Sequence, residues 1–325
     1  MAGVTAGCLI NRSRLLFARS EMKPIAILDA PSNLGLRPPR PKHEPGVWQL
    51  AAAVRSRGII SKLGAQDAGA VPRLSYSFEN DEVTGFRNGP SLARYTEQLS
   101  RKITSQLDQD TFPFVLGGDC SILLGATLAL RRRGRYGLCF VDGHNDFCYA
   151  RDPKWRGRYT AAGLDLALAT GHGPDALTNL DGLKPYVREE DVVALGFYED
   201  PANNEFFAIE QFHQSKIQRL DAERIHKSGA NETAHVALKL LEQSDLKGFW
   251  IHVDADVLHQ SVMPAVDSPN PGGLTFEQLT RILGVLLHSP KAVGMELTIF
   301  DPELDPTGNY AAALVGALVS AFRVR

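Results

Sequence analysis

The sequence predicts an α/β fold with a mainly parallel central sheet, and three observations support this prediction. Strand-length runs rich in Val, Ile and Leu alternate with helix-length amphipathic segments along the chain. The apolar runs are continuous, as in strands that are buried on both faces. Polar motifs follow several of these runs directly, and ligands in such folds bind beyond the carboxyl ends of the strands.

The first half of the chain predicts two strands and three helices. The predicted strands are 25–28 and Phe112–Leu116, and the predicted helices are 48–57, 91–107 and 122–131. The stretch from Gly69 to Asn88 is polar and gives no clear pattern.

The second half continues the alternation. The predicted strands are Gly137–Val141, 192–197, 248–253 and Ala292–Thr298, and the predicted helices are 161–170, 275–288 and 309–322. The glycines at the turn Gly117-Gly118 fit tight turning at a strand end, and no phosphate-binding glycine motif follows the first strand.

Composition limits the class of protein. The chain has 325 residues, 44% hydrophobic and 22% charged, with a net charge of -2, which is typical of a globular protein and gives no reason to expect nucleic acid or a membrane as partner. No interior stretch has the composition of a linker, so we expect one domain over residues 23–325. Residues 1–22, which carry Arg12, Arg14 and Arg19, are predicted to be a disordered N-terminal extension or an over-long start before Met22.

The cysteines are scattered and form no C-x-x-C pair. Cys8, Cys120, Cys139 and Cys148 would not make a disulfide framework in a chain of this length. A reducing cytoplasm therefore fits the sequence best.

Three potential metal ligands alternate directly after the strand Gly137–Val141. Because side chains repeat with a period of two in extended backbone, Asp142, His144 and Asp146 leave the same face and can converge. A second strand ends in Asp254 and Asp256. Acids at buried strand ends are costly unless they are paired or bind a metal, so the two ends could share one. The alternative is a pair of loops whose acids are solvated or cap helices.

These residues resemble those of a known family. Gly117-Gly118-Asp119-Cys120-Ser121, Asp142-Gly143-His144-Asn145-Asp146 and the block from Asp254 to Leu274 occur in the order and context of the arginase, agmatinase and formimidoylglutamase family, the ureohydrolases. The resemblance spans roughly Met22 to the C-terminus. It implies a three-layer α/β/α fold, a site for two Mn²⁺ ions and a homo-oligomer, either a trimer or a hexamer.

The resemblance also implies a set of metal ligands, with one departure. The positions that match are Asp142, His144, Asp146, Asp254 and Asp256. The family's histidine after Gly-Gly-Asp is Cys120 in this chain, and a thiolate suits manganese poorly, so one metal is expected to be weak, absent or replaced by Zn²⁺. A similar cysteine looks like the hydroxyarginine-cleaving branch of the superfamily, which produces hydroxyurea. The alternative for Cys120 is a buried inert thiol.

Further departures concern the chemistry. Ala162-Gly163 aligns where the family usually has a His-Gly pair, and Ile299 aligns with the family's guanidinium-binding glutamate. Either the last strand is bulged, so that the nearby Glu296 reaches the site as a catalytic residue, or the substrate is held differently. Asp267 could supply the missing negative charge, although a loop aspartate is most often a turn or cap residue. His252 has the same strand parity as Asp254, so it could face the site or be structural.

The expected function is metal-dependent hydrolysis of a linear C–N bond in a guanidino or formimino compound, by attack of a metal-bound hydroxide that Asp146 orients. The loop 149–159 carries Arg151, Lys154, Arg156 and Arg158. If this loop faces the pocket, Arg156 and Arg158 are expected to bind a substrate carboxylate; otherwise it is a solvated basic loop. Two alternatives stay open: a metal-binding family member without ureohydrolase activity, and a deacetylase-like amidohydrolase.

Overall fold

A single eight-stranded sheet runs through the molecule. The computed structural model describes residues 23–148, 159–199, 209–243 and 245–323. The strands are β1 (Ile25–Asp29), β2 (Gln66–Ala70), β3 (Phe112–Leu116), β4 (Gly137–Val141), β5 (Val192–Leu195), β6 (Gln218–Leu220), β7 (Phe249–Asp254) and β8 (Ala292–Thr298). Their order is β2-β1-β3-β8-β7-β4-β5-β6, and every pair is parallel, which confirms the predicted α/β class.

Helices cover both faces of this sheet. Those described are α1 (Leu50–Ser56), α2 (Ile59–Leu63), α3 (Gly89–Asp108), α4 (Leu123–Arg133), α5 (Asp165–Ala169), α6 (Asp175–Thr178), α7 (Ile209–Gln214), α8 (Ala222–Ser228), α9 (Ala230–Leu241), α10 (Phe276–Leu287) and α11 (Asn309–Arg323). Successive strand residues enter different apolar cores: Phe114 and Val141 belong to one, while Val115 and Phe140 belong to the other. This alternation gives the three layers that the resemblance implied.

The sequence did not predict the two strands at the edges of the sheet. In β2 none of the five residues is buried, and in β6 only Leu220 is buried. Edge strands with polar, solvent-facing residues lack the apolar run that marks a central strand. Residues 1–22, the predicted N-terminal extension, lie outside the described residues.

Four central strands present their carboxyl ends side by side. In the order β3-β8-β7-β4, Asp254 pairs with Thr298, and Val141 pairs with Val253. After β3 the chain turns at Gly118, where a Cβ atom would lie 1.8 Å from the carbonyl oxygen of Ser32, so only glycine fits. The motifs that follow these strands therefore meet at one edge of the sheet.

No helix among the described residues combines the length and the apolar character needed to cross a membrane.

Candidate metal centre

Three acids at the ends of β4 and β7 are oriented by backbone N–H groups. The N–H of His144 donates to Asp142 Oδ1 (2.6 Å), that of Asp256 donates to Asp254 Oδ1 (2.7 Å), and that of Gly143 donates to Asp256 Oδ1 (3.1 Å). Each carboxylate thus has one oxygen fixed by the main chain and a second that can face a ligand. All three acids are almost fully buried: Asp142 is 1%, Asp254 2% and Asp256 4% exposed.

The ligand atoms form two overlapping groups. Cys120, Asp142, His252 and Asp254 make one group, and Asp142, His144 and Asp256 make the other; within each group the ligand atoms lie within 4.8 Å of one another. His144 Nδ1 is 3.0 Å from Asp256 Oδ2. The thiol of Cys120 donates to Asp254 Oδ2 at 2.8 Å and lies 3.1 Å from Thr298 Oγ1.

Several buried carboxyl groups lie close together in this cluster, and a bound cation would offset their mutual repulsion. Burial, and then the charge of neighbouring carboxylates, raises the pKa of Asp142, of Asp146 and of Asp254. The same two causes raise the pKa of the Cys120 thiol well above its ordinary value, with Asp254 as the foremost neighbour.

The two imidazoles respond to the same negative field. Burial alone would lower the pKa of His144, but Asp256 outweighs it and raises this pKa to about 10. For His252 burial is likewise outweighed, by Asp142 and Glu296, and its pKa is also about 10. Moreover, Asp142 Oδ2 and His252 Nε2 are buried with no hydrogen-bond partner among the described residues. Carboxylates, imidazoles and a thiol with buried atoms left unpaired fit a divalent metal ion.

Comparisons with known proteins identify the family. The sequence model of the arginase family matches residues 25–323 of the chain. The chain belongs to the arginase family. An arginase from Staphylococcus aureus (strain COL) is 26% identical over 315 residues, covering 93% of this chain and 98% of the relative. An arginase from Bacillus caldovelox is 28% identical over 311 residues, covering 91% and 98%.

The fold agrees with this membership. The solved structure of the Bacillus caldovelox arginase superposes with a TM-score of 0.79 at 26% identity, covering 93% of this chain and 98% of that one. The enzyme class predicted from the sequence, a metal-dependent amidinohydrolase, is thereby confirmed at the level of the arginase family.

The structure brings together most of the residues predicted as ligands. Cys120, Asp142, His144, Asp254 and Asp256 all belong to the two groups. Asp146 belongs to neither group but lines the adjoining cavity, and its φ of 39° lies in the left-handed region. The ligand role of all six residues stays a prediction, and so does the identity of the metal.

A cavity of about 250 Å³ opens above these residues. Cys120, Asp254 and Asp256 line it together with the apolar side chains of Ala162 and Ile299. Ala162, which we aligned with a histidine of the family, thus contributes a methyl group to the cavity wall.

Two charged side chains also line the cavity. Asp267 is exposed as a residue, and it lines the cavity. Desolvation of its carboxyl group there, and then the charge of Asp256, raise its pKa. Arg37, also exposed, lies in the same lining. The predicted substrate-binding residues Arg156 and Arg158 fall outside the described residues, although Tyr159, the next residue along, lines the cavity.

Glu296 does not occupy the position that a bulged strand would give it. β7 and β8 stay in register from Trp250 opposite Gly294 to Asp254 opposite Thr298, so no bulge occurs at Glu296. Its carboxylate is fully buried and lies 2.8 Å from His252 Nδ1, and it is absent from the cavity lining formed by the described residues. Of the two possibilities drawn from the sequence, the structure favours the one in which the substrate is held differently.

Ile299 lies in a strained turn directly after β8. Its φ of 70° is rare for a β-branched residue. The Ile299 N–H donates to the carbonyl of Gly118 (2.7 Å), and the Phe300 N–H donates to the carbonyl of Thr298 (2.9 Å), which closes a tight turn. Such strain is commonly retained at functional sites.

One residue of the site was missed by sequence reasoning. Asp165, at the start of α5, is fully buried, and its Oδ2 is 3.8 Å from His252 Nε2. The available signal was a single acid inside the apolar segment Ala161 to Ala169. Acids are also common in the first turn of a helix, where they interact with the helix dipole. The sequence therefore did not distinguish a site residue from an ordinary acid at a helix start.

Proposed function

We propose that this chain hydrolyses the C–N bond of a guanidino or formimino compound that carries a carboxylate. The observation that supports this most directly is the composition of the cavity. Its inner part is lined by the acids Asp254 and Asp256, and Arg37 lies in the same lining. A substrate with a cationic or polar amidine head and an anionic tail matches these two kinds of charge.

The acids, His144 and Cys120 are the residues that would hold the metal. A divalent ion bound among them would lower the pKa of a water molecule so that hydroxide is available near neutral pH. The role we assign to Asp146 is to orient the attacking water, since it lines the cavity. With Ala162 at the position expected to hold an imidazole, and with Cys120 holding the metal as a thiolate, solvent would protonate the leaving amine.

Asp267 is the residue we assign to the amidine head of the substrate. Ile299 supplies an apolar surface where the arginase family is expected to have a glutamate, so a charge must come from elsewhere. Asp267 lines the same cavity, and Asp256 is one cause of its raised pKa, as two like charges in one cavity require. A bound cationic head would relieve that repulsion.

The carboxylate of the substrate would be held at the basic end. Arginine binds a carboxylate through two parallel hydrogen bonds, which lysine cannot do. Arg37 lines the cavity, and the positions of Tyr159 and Thr160 in the lining bring the chain segment that follows Arg156 and Arg158 to the same place. An amino-acid substrate is therefore favoured over its decarboxylated counterpart.

Steady-state kinetics on matched substrate pairs, with and without the carboxylate, test this proposal. We expect a higher kcat/KM for the carboxylate-bearing member, and a smaller preference in Arg37→Ala, Arg156→Ala and Arg158→Ala. Arg101→Ala is the matched control, because Arg101 is exposed and pairs with Glu97 on α3. A preference for the decarboxylated member that no substitution changes would contradict the carboxylate assignment. Release of acetate, with no urea, ammonia or formamide from any candidate, would instead indicate a deacetylase-like activity.

A further inference from the structure

The ring of His252 is held rigidly inside the sheet. It is fully buried on β7 and stacks on the ring of Phe140, with centroids 4.7 Å apart and planes 6° from parallel. Its Nδ1 lies 2.8 Å from Glu296 Oε1, on the neighbouring residue of β8. The Glu296 carboxylate accepts a hydrogen bond from Nδ1, so Nε2 is the nitrogen that becomes free to bind a metal when the ring gives up its second proton.

The Nε2 atom faces two carboxylate oxygens without forming a hydrogen bond to either. Nε2 is 3.8 Å from Asp142 Oδ2 and 3.8 Å from Asp165 Oδ2, which is too long for a hydrogen bond. None of these three atoms has a hydrogen-bond partner among the described residues, and all three side chains are at most 1% exposed. Leaving such atoms unpaired is costly, which indicates that a ligand binds to His252 Nε2 and Asp142 Oδ2, the two of these atoms that belong to the first ligand group.

The spacing fits a shared metal ion. Nitrogen and oxygen ligands lie about 2.0–2.2 Å from a bound Zn²⁺ ion, so two of them are roughly 3.0–4.2 Å apart, depending on the angle between the bonds. The separation of 3.8 Å falls in this interval. A histidine that donates its other ring N–H to a carboxylate is also the usual arrangement of a metal-binding imidazole.

We propose that His252 is a metal ligand through Nε2, together with Cys120, Asp142 and Asp254, and that Glu296 is the positioning residue that fixes its ring. His252 thereby contributes the imidazole that the cysteine at position 120 does not. The inference rests on the proposed metal centre but not on any substrate.

This ligand set makes the two halves of the centre chemically different. One thiolate, one imidazole and two carboxylates favour Zn²⁺ or Co²⁺, whereas His144, Asp142 and Asp256 form a harder set that also suits Mn²⁺. The thiol of Cys120 now donates its proton to Asp254, and that proton must leave to solvent when the sulfur binds a cation. Because the two groups favour different metals, we expect one Zn²⁺ or Co²⁺ ion in the first group and one Mn²⁺ ion in the second when both metals are supplied.

Cobalt titration of the metal-stripped protein tests the proposal without any substrate. The wild type should show thiolate-to-cobalt charge-transfer absorption, and its disappearance in Cys120→Ser identifies the band. His252→Gln should weaken the Co²⁺ affinity that this band reports by at least about 10-fold. Glu296→Gln should weaken it by roughly 10-fold, as for other partners that orient a ligand. His235→Gln, on the exposed surface of α9, is the control and should titrate like the wild type. A folded His252→Gln protein with the wild-type band and affinity would overturn the proposal.

A second measurement keeps His252 intact, in case its replacement prevents folding. In His144→Gln, the imidazole of the second group is removed, so His252 is the one left within the two groups. X-ray absorption of this variant with one equivalent of Zn²⁺ should show one sulfur ligand and the scattering pattern of one imidazole. Sulfur without imidazole would overturn the proposal. Both metal-binding results are independent of activity. If the protein hydrolysed no guanidino compound, the proposed function would fail while the proposed ligand set would still stand.

Discussion

The two sides of the metal centre differ in how closely they follow the arginase family. On the β4–β7 side, Asp142, His144 and Asp256 match the expected ligands and lie together in one group. On the β3–β8 side, Cys120 stands where the resemblance implies a histidine, and Ile299 stands where it implies a glutamate.

A buried ion pair between His252 on β7 and Glu296 on β8 connects the two sides. The difference teaches that the fold fixes where ligands can be placed, while the identity of each ligand is set locally at each strand end. The β4–β7 side offers carboxylates and an imidazole, and the β3–β8 side adds a softer thiol next to them.

Removing Asp254, which contacts residues of both ligand groups, should have the largest effect. Asp254 accepts hydrogen bonds from the N–H of Asp256 and from the thiol of Cys120, so it connects the two sides. We expect Asp254→Ala to lose most of the bound metal, as measured by elemental analysis of the purified protein. Asp110→Ala is the control, since Asp110 is exposed and pairs with Lys23. Full metal content in Asp254→Ala would refute the assignment of the centre.

Converting the β3–β8 side to the ligand of the arginase family should have the next largest effect. In Cys120→His the softer ligand becomes an imidazole, so manganese occupancy should rise, and Mn²⁺ should stabilise this variant more than the wild type. When the free Mn²⁺ concentration is 100 times its Kd, binding adds about 2.7 kcal/mol to the free energy of unfolding. Thermal unfolding with and without Mn²⁺ measures the difference. Cys139→Ala is the matched control, because Cys139 is a buried thiol of the apolar core. Unchanged manganese affinity in Cys120→His would support the inert-thiol interpretation.

The sequence predicted one side of the centre better than the other. The alternation Asp142, His144, Asp146 follows from the period of an extended strand and needs no tertiary information. The pairing of His252 with Glu296 depends on which strands are neighbours and in what register, and a contact between residues 44 positions apart has no local signal. The edge strand Gln66–Ala70 was missed for a related reason, since pairing with β1 rather than an apolar run defines it.

The metal-free protein should lose stability as the pH rises. The folded-state pKa values of His144 and His252 are about 10, above the ordinary 6.5, so protonation favours the folded state. Their contribution to stability is fully present below pH 6.5 and is lost as the pH rises through about 10. The raised pKa values of the acids, such as that of Asp254, act in the same direction.

Bound metal should reverse this dependence, because its ligands must be deprotonated. The gap in Tm between metal-loaded and chelated protein should therefore widen with pH in the interval from 6.5 to about 10. Scanning calorimetry at several pH values measures this gap. In His144→Gln the gap should widen less with pH than in the wild type. A gap that narrows toward high pH would show that the imidazoles and acids do not bind a cation together.

The smallest expected effect lies at the cavity mouth, beyond both sides of the centre. Asp267 carries the negative charge that we assign to the amidine head, and its exposure limits how strongly it can act. An exposed ion pair contributes up to about 1 kcal/mol, so Asp267→Asn should raise KM for a cationic substrate by roughly two- to five-fold, with little change in metal content. Ser268→Ala is the control, because its hydroxyl donates to Asp267 and it lines the same cavity without charge. An equal rise in KM in Ser268→Ala would assign the effect to the shape of the loop, whereas a rise confined to Asp267→Asn and absent for an uncharged substrate would show that the carboxylate binds the amidine head.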